Sequence, residues 1–187
     1  MKIFDLQQAS GWCAERGIAS TFVGKRVELR YTDDGQRCIR ATLSTQSPPL
    51  IAMALLLQDL AEPDPEDFGG CLVWFREWGI WNEYSERAGD RIVATLRRGL
   101  IESSAPAISD APAQVFGPQE FTDAQVLVTV PLIFQWDAYV VPASARCVIL
   151  VSHDDYIQVD TRSRTVLSRI TERFRLLNWN PRGCPSV

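Results

Sequence analysis

The sequence predicts an α+β fold, in which a mixed, mainly antiparallel sheet with a central tryptophan-rich strand (about residues 71–81) is covered by about four to five helices. Two observations support this prediction. Strand-like segments come in adjacent groups joined by turns, rather than alternating regularly with helices. The segment 71–81 reads Cys-Leu-Val-Trp-Phe-Arg-Glu-Trp-Gly-Ile-Trp, so both of its alternating faces are mainly apolar. A strand with two apolar faces is typically covered on both sides.

The first half of the chain contains clear local signals. Asp5 is a good cap for a helix that ends near Gly17. Two alternating segments, 27–31 and 38–43, flank the turn-forming Asp33-Asp34-Gly35, so we predict that they pair as a hairpin. An Ala- and Leu-rich segment, 47–60, predicts a buried helix. An acidic loop, 62–70, follows it.

The middle of the chain is harder to interpret. Acids near the start of 82–98 and arginines near its end favour a helix, because that distribution suits the helix dipole. The proline-rich stretch 102–118 predicts an irregular connection, and an alternative hypothesis places a seam between two subdomains there. The run 122–134 fits either a strand or a helix. Its Thr122–Gln125 pair resembles a capping box, so we expect a buried helix kinked at Pro131.

The last third predicts two strands, 137–141 and 146–152, followed by a third at 156–160. A final amphipathic helix is predicted over 163–177, and we expect the tail after Asn180 to be frayed. Length and composition are those of one ordinary domain, so we assign residues 1–187 to a single α+β domain.

Charge and composition limit the classes of function. The net charge of −4 argues against general nucleic-acid binding and is compatible with a basic partner. Only Lys2 and Lys25 are lysines among 19 basic residues, which is typical of a GC-rich genome, and we interpret it as an indication of bacterial origin. The N-terminus lacks a secretory apolar segment and every apolar run is too short to span a membrane, so we expect a soluble cytoplasmic protein without a membrane partner.

The five cysteines are scattered singly along the chain, without the paired short spacing of a zinc site. We therefore expect reduced thiols, most of them buried as small apolar side chains, and no bound metal. Phosphate-binding motifs such as GxGxxG and GxxxxGK[ST] are also absent from the sequence, so no cofactor is predicted.

The single histidine, His153, is followed by Asp154 and Asp155. This group is compatible with a general base oriented by a carboxylate, with a metal ligand, or with a polar turn. The turn is the favoured interpretation, because Asp is a preferred turn former.

The charged pair Arg76 and Glu77 interrupts the apolar run, and charges in a buried strand need partners. Trp78 and Trp81 lie beside this pair, and surface-exposed tryptophans would mark a binding surface. The candidate binding residues are therefore Arg76, Glu77, Trp78, Trp81, His153, Asp154 and Asp155.

Three classes of function follow. The first is a non-catalytic bacterial cytosolic protein-binding domain, of the immunity or adaptor type, because standard catalytic motifs are absent from the sequence. The second is a small-molecule-binding protein or enzyme with a pocket near His153, Arg76 and Trp78. The third is a nucleic-acid contact through the arginines of the last helix: Arg162, Arg164, Arg169, Arg173 and Arg175.

Overall fold

A computed structural model describes residues 1–42, 69–77, 83–100 and 110–184 of the chain. Within these ranges it contains ten strands and four helices. The helices are α1 (Leu6–Ala14), α2 (Glu83–Leu100), α3 (Phe121–Phe134) and α4 (Arg164–Leu176). The strands are β1 (Lys2–Phe4), β2 (Ile18–Val23), β3 (Arg26–Tyr31), β4 (Arg37–Thr42), β5 (Cys71–Glu77), β6 (Ala113–Phe116), β7 (Asp137–Pro142), β8 (Cys147–Ser152), β9 (Tyr156–Thr161) and β10 (Pro181–Gly183).

Eight of these strands form one sheet, in the order β1-β6-β5-β7-β8-β9-β4-β10. Its neighbouring strands run antiparallel. The other two, β2 and β3, pair with each other in a separate two-stranded ribbon. The predicted α+β class with a large, mainly antiparallel sheet is therefore confirmed.

The large sheet separates two hydrophobic cores. On one face, alternate residues of the central strands pack against α2, α3 and α4. On the other face, the intervening residues pack against α1 and the ribbon. In β5, for example, Val73 and Phe75 face the three helices, whereas Leu72 and Trp74 face the ribbon. This alternation is the period of two that a strand imposes on its side chains.

The strand predicted over 71–81 covers Cys71–Glu77, and it lies between β6 and β7 in the sheet. Residues Cys71 to Arg76 are buried. Residues 78–82 lie outside the described residues, and so do the predicted helix 47–60 and most of the acidic loop 62–70.

The predicted hairpin of 27–31 with 38–43 is wrong, although both strands exist. The first segment, β3, pairs with β2, which the prediction missed. The second, β4, pairs with β9 and β10. Val23 and Arg26 lie opposite each other, so Gly24 and Lys25 form the tight turn, and Gly24 has the positive φ of 60° that such a turn requires.

Two of the predicted irregular regions also contain strands. Residues 113–116, inside the connection predicted over 102–118, form β6 between β1 and β5. Residues 181–183, inside the tail predicted to be frayed, form β10 on the edge of β4. Both segments are short and lack a strand-like sequence pattern, so their structure depends on the strands beside them.

The helix prediction over 122–134 agrees with α3, which contains Pro131. Its predicted capping box is wrong, because the N-cap residue is Glu120 and no side chain caps the helix. The first helix does have a capping box, in which Asp5 accepts from the Gln8 backbone N–H and the Gln8 side chain accepts from the Asp5 N–H.

The expectation that the cysteines are all reduced is wrong. Cys38 and Cys184 form a disulfide that joins the start of β4 to the residue after β10. Three cysteines are free and buried, and burial raises the pKa of each thiol to about 12: Cys13, Cys71 and Cys147. They behave as small apolar side chains, as predicted.

Candidate functional site

A buried ion-pair network centres on Arg76, near the end of β5. Arg76 is 6% exposed. Its Nη1 donates to Asp137 Oδ2 over 2.7 Å, and its Nη2 donates to Glu28 Oε1 over 2.5 Å. One guanidinium therefore joins β5 to β7 of the large sheet and to β3 of the ribbon. A buried charge is tolerated only when it is paired in this way.

Asp137 connects this network to the single histidine. Its Oδ1 accepts from the His153 backbone N–H over 2.8 Å and lies 2.7 Å from His153 Nδ1. Burial opposes ionisation of Asp137, but the contacts with His153 and Arg76 hold its pKa below the usual value. The other ring nitrogen, Nε2, lies 3.3 Å from the Asp154 carboxylate. A carboxylate on Nδ1 is the arrangement that orients a general base.

Glu28 completes the network on the ribbon side. Its Oε2 accepts from the Tyr139 hydroxyl over 3.0 Å, and its Oε1 lies 3.0 Å from Arg26 Nε. Burial raises the pKa of Tyr139 above its ordinary value, so this phenol is a neutral donor at physiological pH. Burial alone would lower the pKa of Arg76, but Tyr139, Glu28 and Asp137 raise it, so the guanidinium stays positively charged.

A surface cleft of about 750 Å³ opens between the ribbon and the large sheet. One wall is β3 with the turn that follows it, and the floor comes from β7, β8, β9 and β4. Both cysteines of the disulfide, Cys38 and Cys184, also line the cleft. The lining residues are mostly polar or charged: Glu28, Leu29, Arg30, Tyr31, Asp33, Asp34, Gln36, Cys38, Arg40, Arg76, Tyr139, Leu150, Tyr156, Gln158, Asp160 and Cys184.

A second polar network forms part of the cleft floor. Asp160 is buried, and its two oxygens accept from the side-chain amides of Gln36, over 2.8 Å, and Gln158, over 3.0 Å. The Gln158 carbonyl in turn accepts from Arg40 Nη2 over 2.7 Å. Burial raises the pKa of Asp160 above its usual value.

Two tyrosines of the cleft each carry an arginine of the same chain on the ring. The guanidinium of Arg40 lies 4.1 Å from the ring centre of Tyr156, and that of Arg162 lies 4.3 Å from the ring centre of Tyr31. Arg162 is also bound to Asp33. These cation–π contacts hold both partners in defined positions before any ligand arrives.

The structure brings together some of the sequence-predicted site residues. Arg76 and His153 share the carboxylate of Asp137, and Asp154 contacts the same imidazole. Asp155 has a positive φ of 56° in the turn between β8 and β9, and Glu77 lies opposite Asp137 in β7. Trp78 and Trp81 lie outside the described residues.

Other predicted features are structural. Trp74, Trp136 and Trp179 are buried in the two cores. Arg162 precedes α4 rather than lying on it, and its side chain is bound to Asp33 and to the Gly17 carbonyl.

Five residues of these networks were not among the candidate binding residues predicted from the sequence. Four of them are charged residues within a strand or at its end, and the fifth is a tyrosine. These residues are Glu28, Arg40, Asp137, Asp160 and Tyr139.

The described ranges contain neither a metal-binding cluster nor a membrane-spanning helix. Residues 1–42, 69–77, 83–100 and 110–184 contain no group of three or more His, Cys, Asp or Glu residues placed to hold a metal ion. Among the helices of the same ranges, none is long and apolar enough to cross a membrane.

Comparison of the chain with protein-family models, curated proteins and solved structures finds no match.

Proposed function

We propose that this chain is a protein-binding domain without catalytic activity, and that the cleft between the ribbon and the large sheet receives a segment of its partner. The proposal rests on the composition of the cleft, whose side chains are already held in place by contacts within the chain. Tyr156 lines it together with Arg30 and Arg40, and Tyr31, which is only 6% exposed, forms part of its wall. Tyrosine and arginine are enriched at the energetically important positions of protein interfaces.

The internal contacts of the cleft support binding. Arg40 is held by Gln158 and Tyr156, and Tyr31 by Arg162 and by a hydrogen bond from its hydroxyl to the Ala145 carbonyl. Side chains already fixed in the free protein lose less conformational entropy when a partner binds. A bacterial cytosolic immunity-type inhibitor or adaptor is the kind of protein that we propose.

The net charge of −4 and the acidic loop 62–70 are compatible with a basic partner. Most of that loop lies outside the described residues. The charges lining the cleft are of both signs. A partner segment with both acidic and basic side chains would suit them best.

Site-directed photo-crosslinking in the bacterial host tests this proposal. A photoreactive residue at Asp34, an exposed residue of the cleft, should trap one defined protein. The same residue at Glu172, which is exposed on α4 outside the cleft lining, is the matched control. Equal trapping from both positions, or none from Asp34, would contradict the proposal.

A second candidate function is favoured by one specific contact set. The carboxylate of Asp137 contacts both His153 and Arg76. It therefore connects a candidate general base, His153, to a fixed positive charge. We propose as the alternative an enzyme that uses His153 as a base. Wild-type protein would then turn over at least one member of an ester and phosphoester panel, and His153→Gln would lower that rate by about 100-fold or more. Absence of turnover across the panel would eliminate this candidate.

A further inference from the structure

Two arginines face each other at one edge of the large sheet. Arg182 of β10 lies directly opposite Arg40 of β4 in antiparallel register. Residues paired in this way project from the same face, with Cβ atoms about 5 Å apart, and like charges there are destabilising. Among the residues that the structure describes, neither arginine forms an ion pair with a carboxylate.

Arg40 is held in place while part of its donor capacity stays unused. Its Nη2 donates to Gln158, and its guanidinium stacks on Tyr156. Its Nε is buried, and among the described residues it has no hydrogen-bond acceptor. A buried N–H without an acceptor is costly, so an acceptor supplied by a ligand would be stabilising.

The surroundings add a third positive charge. Arg30 of β3 lines the same cleft as Arg40, and in the described part of the chain it forms no close ion pair with a carboxylate. Both arginines act on Asp160 through their charge, which lowers the pKa of that carboxyl against the larger effect of burial. The nearby Asp160 does not fill this role, because both of its oxygens accept from glutamine amides and Gln158 separates it from Arg40. Cys184, two residues after Arg182, also lines the cleft.

We propose that Arg40 and Arg182, with Arg30 at the rim, form an oxyanion subsite at the edge of the cleft. Arg182 itself is exposed and lies beside the cleft lining rather than in it. A carboxylate or phosphate group between the two guanidinium groups would remove their mutual repulsion and accept from the Arg40 donors that Gln158 does not use. Planar guanidinium groups bind both kinds of oxyanion through paired hydrogen bonds. This inference rests on the proposed function, since the oxyanion in the cell would be an acidic side chain of the bound partner segment.

Titrations of inorganic phosphate and of acetate, each at fixed ionic strength against chloride, test the subsite directly. The nuclear magnetic resonance signal of the Arg40 Nε–H reports the occupancy. We expect a saturable shift with at least one of the two anions, and the comparison between them shows which oxyanion the subsite prefers. Arg40→Gln and Arg182→Gln should each weaken anion binding by about tenfold. Because Arg40→Gln removes the Nε–H signal, anion binding to this variant is followed through the backbone amide signals of β4.

Two further variants separate binding from folding. Arg164→Gln, at the exposed start of α4, is the matched control and should bind as the wild type does. Arg182→Glu places a carboxylate opposite Arg40, so it should abolish anion binding without lowering the melting temperature. A shift that never saturates, or equal weakening in Arg164→Gln, would overturn the subsite.

The two proposals fail in different ways. Crosslinking from Asp34 that is undiminished in Arg40→Gln and Arg182→Gln would remove the oxyanion subsite and leave the partner-binding cleft standing. Saturable anion binding without any crosslinked partner would support the subsite and remove the proposed function.

Discussion

At the scale of single residues, the most consequential side chain is Arg76. It is buried against two carboxylates, Asp137 and Glu28, that lie on different strands. The desolvation cost of burying such charges is offset only while all the partners are present. Loss of one member therefore leaves a buried charge without compensation.

Arg76→Met should lower the free energy of unfolding by about 3–5 kcal/mol, because it leaves Asp137 buried without its cation. Urea unfolding followed by circular dichroism measures the change. Arg164→Met, on the exposed start of α4, should stay within about 0.5 kcal/mol of the wild type. An Arg76→Met value as small as that of the control would show that the network contributes little to stability.

The lowered pKa of Asp137 also predicts how the free energy of unfolding depends on pH. Its folded-state pKa lies below the usual carboxyl value of about 3.9. The stabilisation is therefore present above the unfolded-state pKa and is lost as the pH falls through the folded-state pKa. Asp160 acts in the opposite direction, because its folded-state pKa is raised.

Unfolding free energies measured between pH 7 and pH 2 test this assignment. Asp137→Asn should be less stable than the wild type at pH 7, and the difference should shrink below about pH 4 as the wild-type carboxylate becomes protonated. Asp34→Asn, an exposed carboxylate of the same cleft, should keep the wild-type profile. A constant difference between Asp137→Asn and the wild type across this range would contradict the role given to Asp137.

At the scale of secondary structure elements, the contact between α2 and Trp136 depends on a glycine. A Cβ on Gly89 would lie 2.1 Å from the Trp136 ring, which is buried beside α3 and β5. By contrast, a Cβ on Gly11 of α1 would meet nothing within 4 Å. The same substitution in two helices should therefore have opposite effects.

Gly11→Ala should stabilise the protein by about 1 kcal/mol, because alanine has the higher helix propensity. Gly89→Ala gains the same propensity but overpacks the indole, so we expect a net destabilisation of about 1–2 kcal/mol. Chemical denaturation of both variants gives the comparison, and tryptophan fluorescence reports whether the Trp136 environment has changed. Stabilisation in both variants would show that α2 moves away from Trp136 without cost.

At the scale of the whole molecule, the disulfide closes residues 38–184 into one long loop. Cys38 and Cys184 are 146 residues apart, and they fix β10 against β4 at the edge of the sheet. A crosslink over so long a loop reduces the entropy of the unfolded chain strongly in the loop-closure model. It also shapes the cleft, because both cysteines line it.

The double variant Cys38→Ser/Cys184→Ser should lose about 2–5 kcal/mol of unfolding free energy. A thiol reagent should count three thiols in the unfolded, oxidised wild type and all five after reduction. Reductant should destabilise the wild type and leave the double variant unchanged. Five reactive thiols before reduction would show that the disulfide does not form.

Features that depend on neighbours along the chain could be predicted from the sequence. Asp5 and Gln8 cap α1 three residues apart, and α4 buries Val166, Ile170 and Phe174 at helical spacing. The strands β3, β4, β7, β8 and β9 were also predictable, because each alternates or is continuously apolar over five or six residues.

The pairing of the strands and the contacts between charged side chains could not be predicted from local sequence patterns. β4 pairs with β9 and β10 rather than with the adjacent β3, and Arg76 meets partners 48 and 61 residues away. The physical reason is that strand pairing and ion pairing depend on backbone groups and charges that every part of the chain carries. Local pattern therefore specifies which face of an element is buried, whereas the choice of partner depends on how all the faces pack together.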